Sequence, residues 1–136
     1  MRSKASTFYE SFPAEWWAKH EPPSKRPPEH IRVARMAKRH KPFLRKAGAR
    51  FTVARLASTG EVVGFAGWQQ TPASGGPIMN LYRRAAVDEL RFAEQEGWTQ
   101  EEVREMWEAV DTESWDADFA PGDATRKENM GDEPHW

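Results

Sequence analysis

Alternation of apolar and polar residues marks one short part of the chain as β-structure. The runs RFTVARLA and EVVGFAGW, within residues 50–69, are rich in β-branched and aromatic residues and are separated by Ser58-Thr59-Gly60. This spacing predicts an antiparallel β-hairpin whose short turn has Gly60 at a positive φ angle. Both faces of the hairpin are largely apolar, so we expect other parts of the protein to cover both. An isolated two-stranded hairpin is only marginally stable without such cover.

Residues 1–28 are predicted to form an arm that begins with a short helix and continues as a proline-rich connector. The connector is EPPSKRPP, residues 21–28, in which four of eight residues are proline, a composition typical of extended chain. Helical periodicity resumes in EHIRVARMAKRHK. We predict a basic helix over residues 29–41 that ends at Pro42, because the residue before a proline avoids the helical conformation.

Two further helices are predicted over residues 80–115. Asn80 is a candidate cap for the first helix, and Gly97 supplies its stop signal. Thr99 and Glu102 form a capping-box pattern that begins the second helix. The second helix has the clearest helical periodicity in the chain, with four apolar residues at i, i+3, i+4 and i+7: Val103, Met106, Trp107 and Val110.

The last segment, residues 116–136, is acidic, lacks periodicity and contains proline and glycine, so we predict a loop. No internal repeat is present. These elements predict a single α+β domain over residues 1–136, in which one antiparallel hairpin packs with three to four helices.

Composition limits the class of protein. With 136 residues the chain corresponds to about one domain, and its low mean hydropathy of -0.86 leaves the seven Trp residues to supply much of the core. Absence of Cys excludes disulfides, a thiolate zinc site and a Cys nucleophile. The sequence shows neither a membrane-spanning apolar window nor the apolar region of a signal peptide, so we expect a cytoplasmic protein without membrane contact.

Charge is divided unevenly along the chain, although the net charge is only -1. Residues 1–50 contain 13 Lys and Arg against 4 Asp and Glu, a net of +9, whereas residues 51–136 contain 7 against 17, a net of -10. Three interpretations stay open: an N-terminal arm that faces an anionic partner, two halves that attract each other, and two solvated faces of one domain. No nucleic-acid-binding motif accompanies the basic helix, so we do not expect nucleic acid as the partner.

Candidate catalytic and metal-binding groups are few. No two histidines are three or four residues apart, and the glycine-rich segment ASGGP (residues 73–77) lacks the pattern of a P-loop or of a dinucleotide-binding turn. The closely spaced carboxylates at 111–118 indicate a solvated acidic segment rather than an acid–base pair. The residues considered and not assigned a site are His20, His30, His40, His135, Asp111, Glu113, Asp116 and Asp118. The sequence therefore names no catalytic, cofactor-binding or metal-binding residue.

The hairpin carries a resemblance to a known family. FTVARLASTGEVVGFAGWQQTP, residues 51–72, resembles the β2–β3 hairpin of GNAT-type N-acetyltransferases, especially fungal ones, with a strand, a short Thr-Gly turn and a second strand of the form vvGfA-W. FYESFP and the prolines and arginines after it resemble the helical region upstream of that hairpin. The later helices and the DEPHW ending resemble the segment that leads to the next strand. The resemblance implies a partial GNAT-like fold and acetyl transfer from acetyl-CoA to an amine acceptor, with a base or water relay removing the amine proton.

One motif of that family does not occur in the chain. It has the form Gln/Arg-x-x-Gly-x-Gly/Ala, and its backbone N–H groups bind the acetyl-CoA pyrophosphate at a helix N-terminus. We therefore expect an incomplete domain that lacks the cofactor-binding half and is inactive or weak alone. Two non-enzymatic alternatives stay open. In one, the basic N-terminal region binds an acidic protein or nucleic acid; in the other, the hairpin edges pair with a partner strand or with a second copy.

Overall fold

The computed structural model describes residues 9–70 and 83–131. This part of the chain contains six α-helices and one two-stranded antiparallel sheet, so the α+β prediction is confirmed, with more helices than the three to four expected. The elements in chain order are α1 (Ala14–His20), α2 (Glu29–Arg45), β1 (Ala49–Arg55), β2 (Val62–Gln69), α3 (Arg84–Glu89), α4 (Phe92–Glu96), α5 (Gln100–Trp107) and α6 (Thr112–Met130). A single 3-10 turn, Pro23–Lys25, lies in the proline-rich connector between α1 and α2.

The predicted hairpin is present. β1 and β2 pair antiparallel in a register that shifts between Ala54 and Arg55, where Val63 forms a bulge. Gly60 has a φ of 70°, as predicted for the turn, and its N–H donates to the Leu56 carbonyl at 2.8 Å. This left-handed conformation explains why the residue is glycine, since glycine has no Cβ that would strain the backbone there.

The expected cover on both faces of the hairpin is not found among the described residues. Phe51 and Phe65 are half-buried and pack against the edge of the core. Val53, Val63 and Trp68 are 49%, 54% and 52% exposed. Within the described part of the chain the helices pack mainly on one another, with α2 running beside β1.

An aromatic core lies between the helices. Trp115 of α6 is 2% exposed, and its ring centroid lies 5.4 Å from those of Trp16 and Phe119. In the same core, Phe43 of α2 contacts Phe92 of α4, with centroids 5.6 Å apart. The buried core residues are Trp17, Met36, Phe43, Ala86, Val87, Phe92, Val103, Met106, Trp107, Val110 and Trp115. Large rings therefore supply much of the buried apolar surface of this polar chain.

Helix α2 does not end at Pro42 but continues to Arg45, which corrects the predicted boundary. A proline inside a helix removes one hydrogen bond and crowds the preceding turn. Phe43, directly after it, is 3% exposed and lies in the core. Burial of that ring favours continuation of the helix past the proline.

The first of the two helices predicted over residues 80–115 is broken into α3 and α4. Arg91 adopts a left-handed conformation with a φ of 55° between them, and this turn directs Phe92 into the core. The proposed cap Asn80 lies outside the described residues. The Gly97 stop, at a φ of 68°, and the start of α5 are confirmed.

The predicted loop over residues 116–136 is wrong within the described part, because α6 extends to Met130. The Asp111 side chain caps it by accepting from the Ser114 N–H at 2.9 Å. Trp115 then anchors the first turn in the core. Residues 132–136 lie outside the described residues.

Candidate functional site

Exposed large apolar side chains are concentrated in the hairpin, on both of its faces. Four large side chains, Val53, Leu56, Val63 and Trp68, are between 43% and 54% exposed, and we call them the hairpin surface. The sheet contains only β1 and β2 in the described part, so each strand has one outer edge that pairs with no other strand there. Unpaired N–H and C=O groups along such an edge are able to bind a further strand.

A cluster of polar groups is centred on Glu21, directly after α1. Glu21 is 2% exposed. Tyr9 donates from its hydroxyl to Glu21 Oε1 at 3.0 Å, and Arg32 donates from Nε to Oε2 at 2.8 Å. Arg39 Nη2 lies 3.6 Å from Oε1. One buried carboxylate therefore faces two guanidinium groups of α2.

Burial changes the acid–base behaviour of this cluster. It raises the pKa of Tyr9 to about 12, and the negative charge of Glu21 adds to the effect. The phenol is thus a neutral hydrogen-bond donor at neutral pH. Burial also lowers the pKa of the Arg39 guanidinium, which nevertheless stays charged, as arginine does in proteins.

Arg39 connects α2 to α5 across the core. Its Nη1 donates to the Met106 carbonyl at 2.6 Å, and its guanidinium carbon lies 4.8 Å from the centre of the Trp107 ring. Arg39 is buried at 7% exposure, whereas Ala34 and Ala37 of the same helix are exposed. The signal was present, because the buried residues recur at i, i+3, i+4 and i+7: Met36, Arg39, His40 and Phe43. Because Arg39 and His40 are polar, a search for apolar residues alone does not identify this buried face.

A second polar cluster joins α1 to α6. His20 Nε2 lies 2.8 Å from Asp118 Oδ2, and His20 Nδ1 lies 3.2 Å from Ser114 Oγ. These are the residue types of a Ser-His-Asp hydrolase, which needs an accessible Ser hydroxyl and free oxyanion donors. Here the His20 ring is completely buried between Trp16 and Trp115, and the Ser114 N–H is already bonded to Asp111. The cluster therefore holds two helices together and offers no nucleophile.

The four carboxylates at the start of α6 are not a solvated acidic loop, as the sequence had suggested. Asp111 caps the helix, and Asp116 pairs with Arg83 at 3.4 Å. A hydrogen bond from Lys19, with the His20 contact, holds the pKa of the Asp118 carboxyl below its usual value. Glu113 is exposed. Three of the four side chains thus have structural partners.

No group of three or more His, Asp or Glu side chains that could hold a metal ion occurs among residues 9–70 and 83–131. Of the remaining histidines, His30 is exposed and His40 is buried beside Phe43. His135 and the glycine-rich segment at 73–77 lie outside the described residues.

The cations of α2 pair with carboxylates of the C-terminal half. Lys38 Nζ lies 2.7 Å from Glu102, and Arg35 lies 3.2 Å from Glu108. Two more cations meet Glu96, namely Lys41 at 3.1 Å and Arg45 at 3.3 Å. Of the three interpretations of the charge division, this arrangement matches the attraction between two halves. It also leaves the basic helix with less unpaired charge for an outside partner.

Two small cavities flank Arg39. The first is lined by Tyr9, Glu21 and Arg32 on its polar side, and the second by Trp107 and Trp115 with apolar residues of α2 and α3. Each has a volume of about 10 Å³, which is room for one water molecule. Neither cavity accommodates an organic substrate or a nucleotide cofactor.

The described helices include none that is long and apolar enough to cross a membrane. No protein-family model matches the sequence, no curated protein matches it, and no solved structure matches the fold. The functional assignment therefore depends on the residues and on the geometry described above.

Proposed function

We propose that this chain is part of a GNAT-type N-acetyltransferase and that it contributes two sheet strands and the acceptor-amine side of the enzyme. The observation that carries the proposal is that the hairpin has unpaired strand edges and exposed apolar side chains in the described part of the chain. Its strands have unpaired outer edges in the described part, and the hairpin surface is about half exposed. Such a hairpin is suited to a position between further strands of a larger sheet.

Sequence and local geometry support the same assignment. The resemblance covers residues 51–72, and Gly60 of its Thr-Gly turn has the positive φ typical of a short hairpin turn. A bulge at Val63 adds twist to the second strand, as bulges do in curved sheets.

The described residues do not fit acetyl-CoA. The pyrophosphate-binding motif is missing from the sequence, and the two cavities beside Arg39 each have room for one water molecule. We therefore derive no catalytic step through the cofactor and assign no catalytic residue. In this proposal the cofactor site is built by polypeptide other than these 136 residues.

The test is to sequence the transcript on the 3′ side of the Trp136 codon and to assay its product. The proposal expects an open frame that encodes a strand and the Gln/Arg-x-x-Gly-x-Gly/Ala motif. It also expects the longer protein to release free CoA thiol from acetyl-CoA when a panel of amines is added. A longer protein that carries no such motif and releases no thiol would show that the family assignment is wrong, as would a stop codon directly after Trp136.

The 136-residue chain is the matched control for that assay. Calorimetric titration with acetyl-CoA should show no binding in the micromolar range, because the anion-binding helix start is missing. Micromolar binding by this chain alone would contradict the proposed division of the enzyme.

An interaction module is the second candidate, and the hairpin edges favour it over the basic N-terminal region. The edges are unpaired in the described part, whereas the cations of α2 have carboxylate partners. In this alternative the hairpin pairs with a partner strand or with a second copy. A chain that stays monomeric by light scattering at high concentration would exclude self-association.

A further inference from the structure

Helix α6 contains a proline and a glycine near its middle, at positions 121 and 122. These are the two least favourable residue types in a helix interior. Pro121 has no N–H, so the hydrogen bond that position 121 would normally donate to the Ala117 carbonyl cannot form. We call residues 112–120 the proximal segment of α6 and residues 122–130 the distal segment. The helix is intrinsically weakest at the junction between these two segments.

The proximal segment is fixed to the body of the protein by several contacts. Trp115 is 2% exposed in the core, and Phe119 is half-buried against the core. The Asp111 side chain caps the first turn, and Asp118 Oδ2 lies 2.8 Å from Nε2 of His20 in α1. These contacts all precede Pro121, so they do not depend on the distal segment.

The distal segment has no such apolar anchor in the described part of the chain. None of residues 122–130 belongs to the buried core or to the hydrophobic side chains packed against it. Met130, the one large apolar residue of the segment, is 42% exposed. Burial of an apolar face supplies most of the stability of a helix in a protein. Polar contacts must therefore contribute much of what keeps the distal segment folded.

One guanidinium group spans the junction. Arg83, directly before α3, donates from Nε to Asp116 Oδ1 at 3.4 Å and from Nη1 to Asp123 Oδ2 at 3.0 Å. Asp116 belongs to the proximal segment and Asp123 to the distal segment. The side chains of Arg83 and Asp123 are only 19% and 14% exposed, so solvent and salt screen this pair less than a surface pair. Arg83 thus connects the distal segment to the rest of the protein.

We propose that α6 is hinged at Pro121 and Gly122, and that Arg83 holds the hinge closed. The distal segment opens as a unit when the contact between Arg83 and Asp123 breaks, while the proximal segment and the core stay folded. Proteins open locally in such units where few buried apolar contacts are lost. Gradual fraying from the helix end is the rival explanation of any mobility there. The proposal is independent of the acetyltransferase assignment.

Backbone amide hydrogen exchange of the full chain, followed residue by residue by NMR, tests the proposal. Amides of residues 123–128 should exchange faster than those of residues 115–120 by roughly tenfold or more, with a step at the proline. Fraying instead predicts a gradual increase towards Met130. A gradual profile, or equal protection in both segments, would overturn the proposal.

Matched arginine variants identify the contact that holds the hinge closed. Arg83→Gln removes the charge that both carboxylates share, so exchange in the distal segment should accelerate by roughly tenfold, the usual value of a hydrogen bond between charged groups. Exchange in the proximal segment should not change. Arg84→Gln is the control, because Arg84 is the next residue in the chain and pairs with Asp88 of its own helix at 2.8 Å. Equal acceleration in both segments of Arg83→Gln, or the same profile for the two variants, would contradict the role of Arg83.

Gly122→Ala tests the hinge in the opposite direction and keeps the proposal testable if Arg83→Gln does not fold. A Cβ added at Gly122 meets nothing within 4 Å in the described part of the chain, so alanine fits there. Alanine is the better helix former, and exchange in the distal segment should slow by roughly fivefold. Unchanged exchange in the distal segment of this variant would show that the junction is not a hinge.

Discussion

Glu21 joins three segments of the chain through one residue. Its carboxylate accepts from Tyr9, which precedes α1, and from Arg32 in α2. Its backbone carbonyl accepts from Arg26 Nε at 2.5 Å, within the proline-rich connector. An extended connector has few hydrogen bonds of its own. These contacts therefore hold the connector against the helices on both sides of it.

Replacement of Glu21 by Gln should destabilise the fold by about 3 kcal/mol, because Arg32 and Arg39 then share no counter-charge in a buried site. The amide keeps the shape of the carboxylate, so the effect reports charge rather than volume. Urea unfolding measures it. Glu105→Gln on the exposed face of α5 is the control and should change the free energy of unfolding by less than about 0.5 kcal/mol. Equal effects of the two substitutions would mean that the buried pairing contributes nothing.

The hairpin depends on close contact between Phe51 of β1 and Gly67 of β2. These residues are directly opposite each other in the register, and the Phe51 ring covers the glycine backbone. A Cβ built on Gly67 would lie 2.9 Å from Phe51 Cε1, closer than real contacts allow. Aromatic cover of a strand glycine in this way is a known means of pinning register.

Gly67→Ala should therefore destabilise the chain by about 1–3 kcal/mol, since the Phe51 ring must move out of its packed position. Gly64→Ala is the matched control on the same strand. Its added Cβ would meet Ala54 Cβ at 4.0 Å, an ordinary contact, and alanine lowers the entropy of the unfolded chain. Thermal unfolding of both variants measures the difference. A Gly67→Ala protein as stable as the Gly64→Ala protein would show that the contact does not constrain the hairpin.

At the scale of the whole molecule, basic residues of the first half of the chain form ion pairs with acidic residues of the second half. Lys19 pairs with Asp118 and Lys38 pairs with Glu102, in both cases across more than 60 residues of chain. Each surface pair is weak by itself and is screened by salt. Their collective effect is to favour one mutual arrangement of the basic and acidic segments.

The free energy of unfolding should decrease at acid pH, because protonation of the carboxylates removes these ion pairs. Hydrogen bonds from Lys19 and Lys38 hold the pKa values of Asp118 and Glu102 below the usual 3.8 and 4.5. The unfolded chain therefore takes up protons first as the pH falls, so the stabilisation is complete above these usual values and is lost below them. Urea unfolding between pH 6 and pH 2 measures the loss.

The double variant Asp118→Asn, Glu102→Gln should show a shallower decline with acid than the wild-type chain. The matched control is Glu113→Gln, Glu105→Gln, which changes two exposed carboxylates on the same helices. Its decline should parallel that of the wild type. Identical acid profiles for the two double variants would contradict a role for the paired carboxylates.

Features determined by near neighbours in the chain could be predicted from the sequence alone. The hairpin follows from residue alternation and from a glycine that tolerates positive φ at position 60. The start of α5 follows from the reciprocal bonds of Thr99 and Glu102, and its buried face follows from apolar spacing. In each case the determining interactions lie within a few residues, so the sequence by itself contains them.

Only the tertiary structure decided the features that depend on burial. Helix α2 passes Pro42 because Phe43 is buried, and the first turn of α6 packs into the core through Trp115. Glu21 and Arg39 are buried together because each offsets the desolvation of the other. Local propensity opposes a helix through Pro42, and polarity opposes the burial of two charged groups. They arise from contacts between residues far apart in the chain, whose energies exceed local preferences once the core is assembled.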